Sequence, residues 1–349
     1  MPLAGLIPKV HLHCHLEGTL RAETFVELAA RHGVPLRYRP GSGEGEAFRD
    51  EPDERVDPAN PYLFKDFGEF LLAFAAASRC LAGPADYARL AREFVESSRT
   101  EDVIYGELFI SPSVWTFFHK DLDVRACVEA IVAELRAAQP HATFKLIVDL
   151  TRNFGTERAM KTAVLATQLT DLDVIAIGLG GDEARFPPET FEAPFAYARA
   201  HGLPGVAHAG EAAGAQSVAD ALDFLRARRI GHGIAALHDL RLVQRLADER
   251  VALEICPTSN LLTGAALPDR DAFVEFDSAG CVVTIDADDP AMFRTSIGRE
   301  YALVESVAGS DALERFVRNA IDASFAEPPA KAAMHAAVTQ RIENRHVRP

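Results

Sequence analysis

The stretch Val10-His11-Leu12-His13-Cys14-His15-Leu16-Glu17 alternates apolar and polar residues without a break. Side chains on a β-strand alternate between faces, so His11, His13, His15 and Glu17 share one side and the apolar residues share the other. Seven more short apolar runs follow: Val103–Ile110, Phe144–Leu150, Val174–Leu179, Gly205–His208, Arg229–Gly231, Val251–Cys256 and Cys281–Ile285. Between most of them lie stretches of helical periodicity, at Ala22–His32, Pro84–Arg99, Asp123–Ala138, Thr156–Gln168, Glu189–His201, Val218–Arg228 and Leu237–Glu249. This repetition predicts parallel βαβ units, and eight strands predict a closed (β/α)8 TIM barrel. An open doubly wound sheet is the runner-up, but no GxGxxG fingerprint follows the first strand. Helices within Pro61–Leu81 and residues 299–345 are expected as additions near the N- and C-terminal parts.

The chain has 349 residues, 48% hydrophobic and 25% charged, the composition of a globular protein with a substantial core. A single barrel over residues 1–349 accommodates this length. The net charge of −15 argues against nucleic acid or an anionic membrane surface as partner. No apolar run reaches the roughly 18 residues of a membrane span, and the first residues do not read as a signal peptide. Five scattered cysteines (14, 80, 127, 256, 281) without CxxC fit a reducing cytoplasm. Residues 39–61 are polar, acidic and rich in Gly and Pro, which predicts a surface loop; a substrate lid is the alternative.

In a barrel the polar face of the first strand points inward, where imidazoles are costly without a partner. Three further signals stand at predicted strand ends: His208-Ala-Gly-Glu211 after the fifth, Gly231-His232-Gly233 after the sixth, and Asp286-Ala-Asp288-Asp289-Pro290 after the eighth. Each is weak alone. Together they lie at the C-terminal ends of parallel strands, where such barrels build active sites. His13, His15, His208 and one of Asp288 and Asp289 form a nitrogen-rich donor set suited to Zn2+. His11 lies deeper and reads as structural. A two-metal site would add a bridging Lys on the fourth strand; Val174–Gly180 has none, so one metal per chain is expected. Such a metal activates water at neutral pH. Glu211 and His232 remain for general acid–base work.

The chain resembles the adenosine deaminase family of metal-dependent amidohydrolases. The resemblance rests on Pro8–Gly18, Gly180-Gly181-Asp182-Glu183, His208–Glu211, Arg229–Gly233, Cys256-Pro257-Thr258-Ser259-Asn260 and Asp288-Asp289-Pro290, in the family's order over nearly the whole chain. It implies a zinc-dependent barrel that replaces the 6-amino group of an adenine compound with oxygen. It implies His13, His15, His208 and Asp288 as zinc ligands, with His15 also bordering the substrate. Glu211 would protonate purine N1, His232 would orient the attacking water, Asp289 would meet N7 and the Gly181 N–H would meet N3.

Three departures bear on the substrate. Nucleoside-specific members usually have Asp at Glu17, where it meets the ribose 5′-hydroxyl. Many read Asp-Leu-Ala-Gly where this chain has Gly178-Leu179-Gly180-Gly181, so a sugar-facing carboxylate is absent from that strand. Phe109 stands where Arg is frequent. Adenosine or 2′-deoxyadenosine is the expected substrate; the alternatives are adenine and a 5′-modified adenosine such as aminodeoxyfutalosine. A cytidine-type deaminase is disfavoured because Cys256 is followed by Pro-Thr-Ser, not by the spacing of P-C-x-x-C. Hydrolysis of a cyclic amide or phosphoester, and an inactive binding barrel, are the other readings; the purine-contact motifs and intact ligand set argue against them.

Overall fold

The structure is a computed structural model that describes residues 2–34, 61–267 and 270–347, without the side chains of 345–347. Eight strands occur among them: β1 (Lys9–His15), β2 (Val103–Ile110), β3 (Thr143–Thr151), β4 (Val174–Gly180), β5 (Val206–Ala209), β6 (Arg229–His232), β7 (Ala252–Ile255) and β8 (Val282–Ile285). Every ladder pairing is parallel, in two four-stranded runs, β1-β2-β3-β4 and β5-β6-β7-β8. Bridges Ile177–Gly205 and Cys14–Asp288 join the runs at both seams. At the second seam Asp288 N–H donates to His13 O at 3.0 Å, and His15 N–H donates to Asp288 O at 2.9 Å. The sheet therefore closes into the (β/α)8 barrel, not an open layer.

Inside it, Phe109, Ile147, Ala176 and Val206 form an apolar plug beneath the C-terminal rim. All seven residues of β1 are buried, because helices cover its outer face while the plug and site fill the inner one. The helix Ala22–His32 ends in a left-handed Gly33, and Pro84–Thr100 starts with Pro in its first turn. Asp123 caps Val124–Arg136 by accepting from Ala126 N–H at 3.0 Å.

Three expected helices differ in detail. Val218–Arg228 resolves into a helix at Ala215–Asp220 and a π-helical turn at Ala221–Leu225, stopped by Arg226 at φ 55°. Glu189–His201 divides into a 3-10 turn at Pro188–Phe191 and a helix at Glu192–Ala200. Leu237–Glu249 begins later, at Leu240, where Asp239 caps two N–H groups. The added helices are Phe67–Arg79 and, toward the C-terminus, Ile297–Ala308, Ser310–Ala323 and Pro328–Val347. Residues 39–60 of the expected surface loop lie outside the described residues, and Pro61 is buried. No helix among the described residues is long and apolar enough to cross a membrane.

Candidate active site

The C-terminal ends of β1, β5, β6 and β8 bring His13, His15, His208, His232 and Asp288 together, all buried. His13 Nε2 and His15 Nε2 each lie 3.4 Å from Asp288 Oδ1, and His15 Nε2 lies 3.0 Å from His208 Nε2. His232 stands close as well: His13, His208, His232 and Asp288 present donor atoms within 4.8 Å of one another, as do His15, Asp288 and Asp289. Asp288 belongs to both groups, and His15, from the second, reaches His208 of the first, so the four expected ligands lie around Asp288 with His232 beside them.

The rings are aimed by buried partners. His13 Nδ1–H donates to Glu254 Oε2 at 2.8 Å, and His208 Nδ1–H donates to Leu179 O at 3.1 Å. Both leave Nε2 facing the cluster, and His13 Nε2 has no hydrogen-bond partner. Burial disfavours charge on His13, yet the carboxylates of Asp288 and Glu254 outweigh it and raise its pKa to about 10. The pocket therefore favours positive charge at this nitrogen. Burial lowers His15 to about 3 and His208 well below the ordinary value, so these rings are neutral donors. Burial also works against ionisation of Asp288, but the hydrogen bond with His13 and the nearby imidazoles hold it well below the usual carboxylate range. Neutral imidazoles, one carboxylate and an orphaned nitrogen fit a divalent metal ion.

Backbone strain accompanies this arrangement. Asp288 and His232 adopt φ of 60° and 62°, a conformation that costs L-residues about 1–2 kcal/mol. Asp288 is pinned by the two seam hydrogen bonds and by Ser259 Oγ–H donating to its Oδ2 at 2.7 Å. Asn260 pairs with His232 Nδ1 at 2.8 Å, leaving Nε2 toward Glu211 Oε2 at 3.4 Å. Burial, with the charges of Asp288 and Glu183, pushes the Glu211 carboxyl well above the usual range. Its surroundings therefore favour the protonated form. Burial and Asp288 do the same to Asp289. Its carboxyl lies against Gly18, where a Cβ would come within 1.8 Å of Oδ1, so only glycine leaves it room.

A cavity of about 660 Å3 opens over this cluster, and His15, Gly181, His208, Glu211, His232, Asp288 and Asp289 line it. Glu17 does not: it is not among the lining residues. Its Oε1 accepts from Ser111 N–H at 2.8 Å and from Trp115 Nε1–H at 2.6 Å. Ser111 and Trp115, the latter on the helix Pro112–Phe118 after β2, thus hold Oε1, while Oε2 is buried without a hydrogen-bond partner. His11 is structural, accepting from Ala287 N–H at 3.1 Å. Phe109 stacks on His15 at 4.9 Å between ring centroids and seals the back of the ligand cluster.

Several functional groups had no assigned role in the sequence. Glu254 also pairs with Arg229, whose Nη2 donates to Glu107 Oε2 at 2.6 Å, so a fully buried chain of charges runs from His13 to β2. Glu183 accepts from the N–H groups of Gly210, Glu211, Ala212 and Ala213 and from Ser217 Oγ–H, building the turn that presents Glu211. Asp286 Oδ1 accepts from the N–H groups of Leu12 and His13 and fixes β1. The available signal was an acidic residue inside an apolar strand run, as in Ala252-Leu253-Glu254-Ile255, which must find a partner. Glu254→Gln is expected to lower metal affinity by about 10- to 100-fold, the usual effect of losing a ligand's buried carboxylate partner. A chelator-competition titration with unchanged affinity would remove Glu254 from that role.

The family model described as adenosine deaminase matches residues 8–341. An aminodeoxyfutalosine deaminase of Streptomyces avermitilis is 35% identical over 348 residues, covering 96% of this chain and 91% of the relative. An adenine deaminase of Rhizobium rhizogenes is 35% identical over 337 residues, covering 94% and 98%. Among solved structures, an amidohydrolase from Burkholderia ambifaria with bound zinc superposes with a TM-score of 0.81 at 26% identity, covering 98% of this chain and 92% of that one.

Proposed function

Because the chain belongs to the adenosine deaminase family, metal-dependent hydrolases that deaminate 6-aminopurines, we propose that its substrate is an adenosine modified at the 5′ end. The size and lining of the cavity carry this reading. Its volume of about 660 Å3 lies in the range of sites that enclose drug-sized ligands, and a purine fills only the metal-side end. Phe67, Phe70, Phe74, Phe117, Phe118 and Phe154 line it, an apolar surface that suits an extension beyond the ribose. The Streptomyces relative is named for such a substrate, aminodeoxyfutalosine. Adenosine and 2′-deoxyadenosine, expected from the motifs, give way: neither relative described above is named for them, and Glu17 does not line the cavity. Adenine is the second reading, supported by the Rhizobium relative at equal identity.

We assign one zinc ion to His13, His15, His208 and Asp288, a donor set that suits it. The zinc held by the Burkholderia structure supports this choice. When bound, the metal supplies the Lewis acidity that makes water a nucleophile at neutral pH. The protein's own groups do the rest. Glu211 donates its proton to N1, drawing electrons from C6 as water adds there. His232 Nε2 orients that water. Asp289, whose protonated form burial and Asp288 favour, meets N7 and the Gly181 N–H meets N3, fixing the ring plane. One proton of the added water passes by way of His232 to the 6-amino group and the other returns to Glu211, so collapse of tetrahedral C6 releases ammonia and leaves the 6-oxopurine. The buried free cysteines support a cytoplasmic setting.

A panel of adenine, adenosine, 2′-deoxyadenosine, AMP and aminodeoxyfutalosine, followed by the ultraviolet change on loss of the 6-amino group, tests the substrate. The 5′-modified nucleoside is expected to give the highest kcat/KM. Adenine above every nucleoside would replace it with the second reading.

A further inference from the structure

Asp149 stands near the end of β3, is 3% exposed, and lines the cavity. Its Oδ1 has no hydrogen-bond partner. In the ladder Asp149 faces Gly178 and Thr151 faces Gly180. A Cβ at Gly178 would lie 2.7 Å from Oδ1, and one at Gly180 would lie 2.7 Å from Oδ2. Two missing side chains on β4 therefore make the space that this carboxylate occupies. Arg152, nearby, makes no hydrogen bond to it: Nη1 donates to Phe186 O and Nη2 to His208 O, while Nε has no partner. A buried carboxylate left unpaired is destabilising, and nothing in the barrel wall satisfies Oδ1. Burial accordingly raises its pKa to about 7, against the opposing charge of Arg152.

Its place around the barrel says which part of a substrate it meets. This step rests on the ring contacts assigned above. Glu211 after β5 takes N1, Gly181 after β4 takes N3, and Asp289 after β8 takes N7. Going round a purine from N1 past N3, the next nitrogen is N9, and N7 follows. Going round the barrel from β5 past β4, the next strand is β3, which carries Asp149. We propose that Asp149 is a specificity-determining residue whose carboxylate accepts a hydrogen bond from a donor that the substrate carries at N9 or on the sugar attached there. The donor is N9–H if the substrate is adenine and a ribose hydroxyl if it is a nucleoside.

The test compares kcat/KM within matched pairs: adenine with 9-methyladenine, and adenosine with its 2′-deoxy and 3′-deoxy forms. In the wild-type protein one pair should differ by about 10- to 100-fold, the effect of a hydrogen bond to a charged group. The pair that differs identifies N9–H or a particular hydroxyl as the donor. In Asp149→Leu and Asp149→Asn that difference should shrink to about threefold or less, with Tm unchanged or raised because an unpaired buried carboxylate is gone. Equal losses on every compound, 9-methyladenine included, or a lowered Tm in both variants would make Asp149 structural and overturn the proposal. The wild-type pairs decide it if neither variant folds, since no pair differing by tenfold also overturns it. A wild-type protein that deaminates no adenine compound fails the functional reading itself. Activity on adenine compounds with unmoved ratios fails Asp149 alone.

Discussion

Replacing His208 with alanine should remove the metal and the activity together. His208 contributes one of four converging donors, and its ring is locked by Leu179 O while Arg152 holds its own carbonyl. Without it, His13, His15 and Asp288 remain around a gap that water can enter. The loss in kcat should reach ~10³-fold or more, because water without a cation returns toward its bulk pKa of roughly 15.7. Elemental analysis of the purified variant beside steady-state kinetics checks both halves. A full complement of metal in His208→Ala would take His208 out of the ligand set.

Glu211→Gln should separate chemistry from metal binding. Glutamine keeps the shape and the approach to Thr263, whose Oγ lies 3.4 Å from Glu211 Oε1. It removes the ionisable proton, whose release burial and the Asp288 charge oppose. Metal content should stay at the wild-type level while kcat falls by about 10²-fold or more, the usual contribution of a general acid. KM should change little, since the group acts chiefly as C6 becomes tetrahedral. Loss of metal from this variant would instead make Glu211 a ligand or a support of one.

The barrel was legible because its signals are local. A period-two pattern marks the first strand and short apolar runs mark the other seven, and the eight predicted runs match the observed strands to within a residue or two at each end. Helix starts with Asp or Pro were equally local. The breaks were not. The Val218–Arg228 stretch has helical periodicity throughout, but its second half winds as a π turn before Arg226 turns left-handed. Periodicity is blind to that change.

The candidate site divides the same way. Strand parity and strand-end position put His13, His15, His208, Glu211, His232, Asp288 and Asp289 at one rim, since a closed parallel barrel turns every such end toward a common mouth. Which partner each side chain takes depends on strands far apart in the chain, which no local pattern reports. Glu254 meets His13 across 241 residues, and Trp115 takes Glu17 across 98. The carboxylate missing from Gly178 has a counterpart in Asp149, on the neighbouring strand, because a glycine there leaves room for it. The sequence alone determined that His13, His15, His208, Glu211, His232, Asp288 and Asp289 face the barrel mouth, because backbone geometry sets parity. Only the tertiary structure decided which of them are held, which are free and where a buried charge is left without a partner, because those follow from closure of the barrel and the packing of side chains across it.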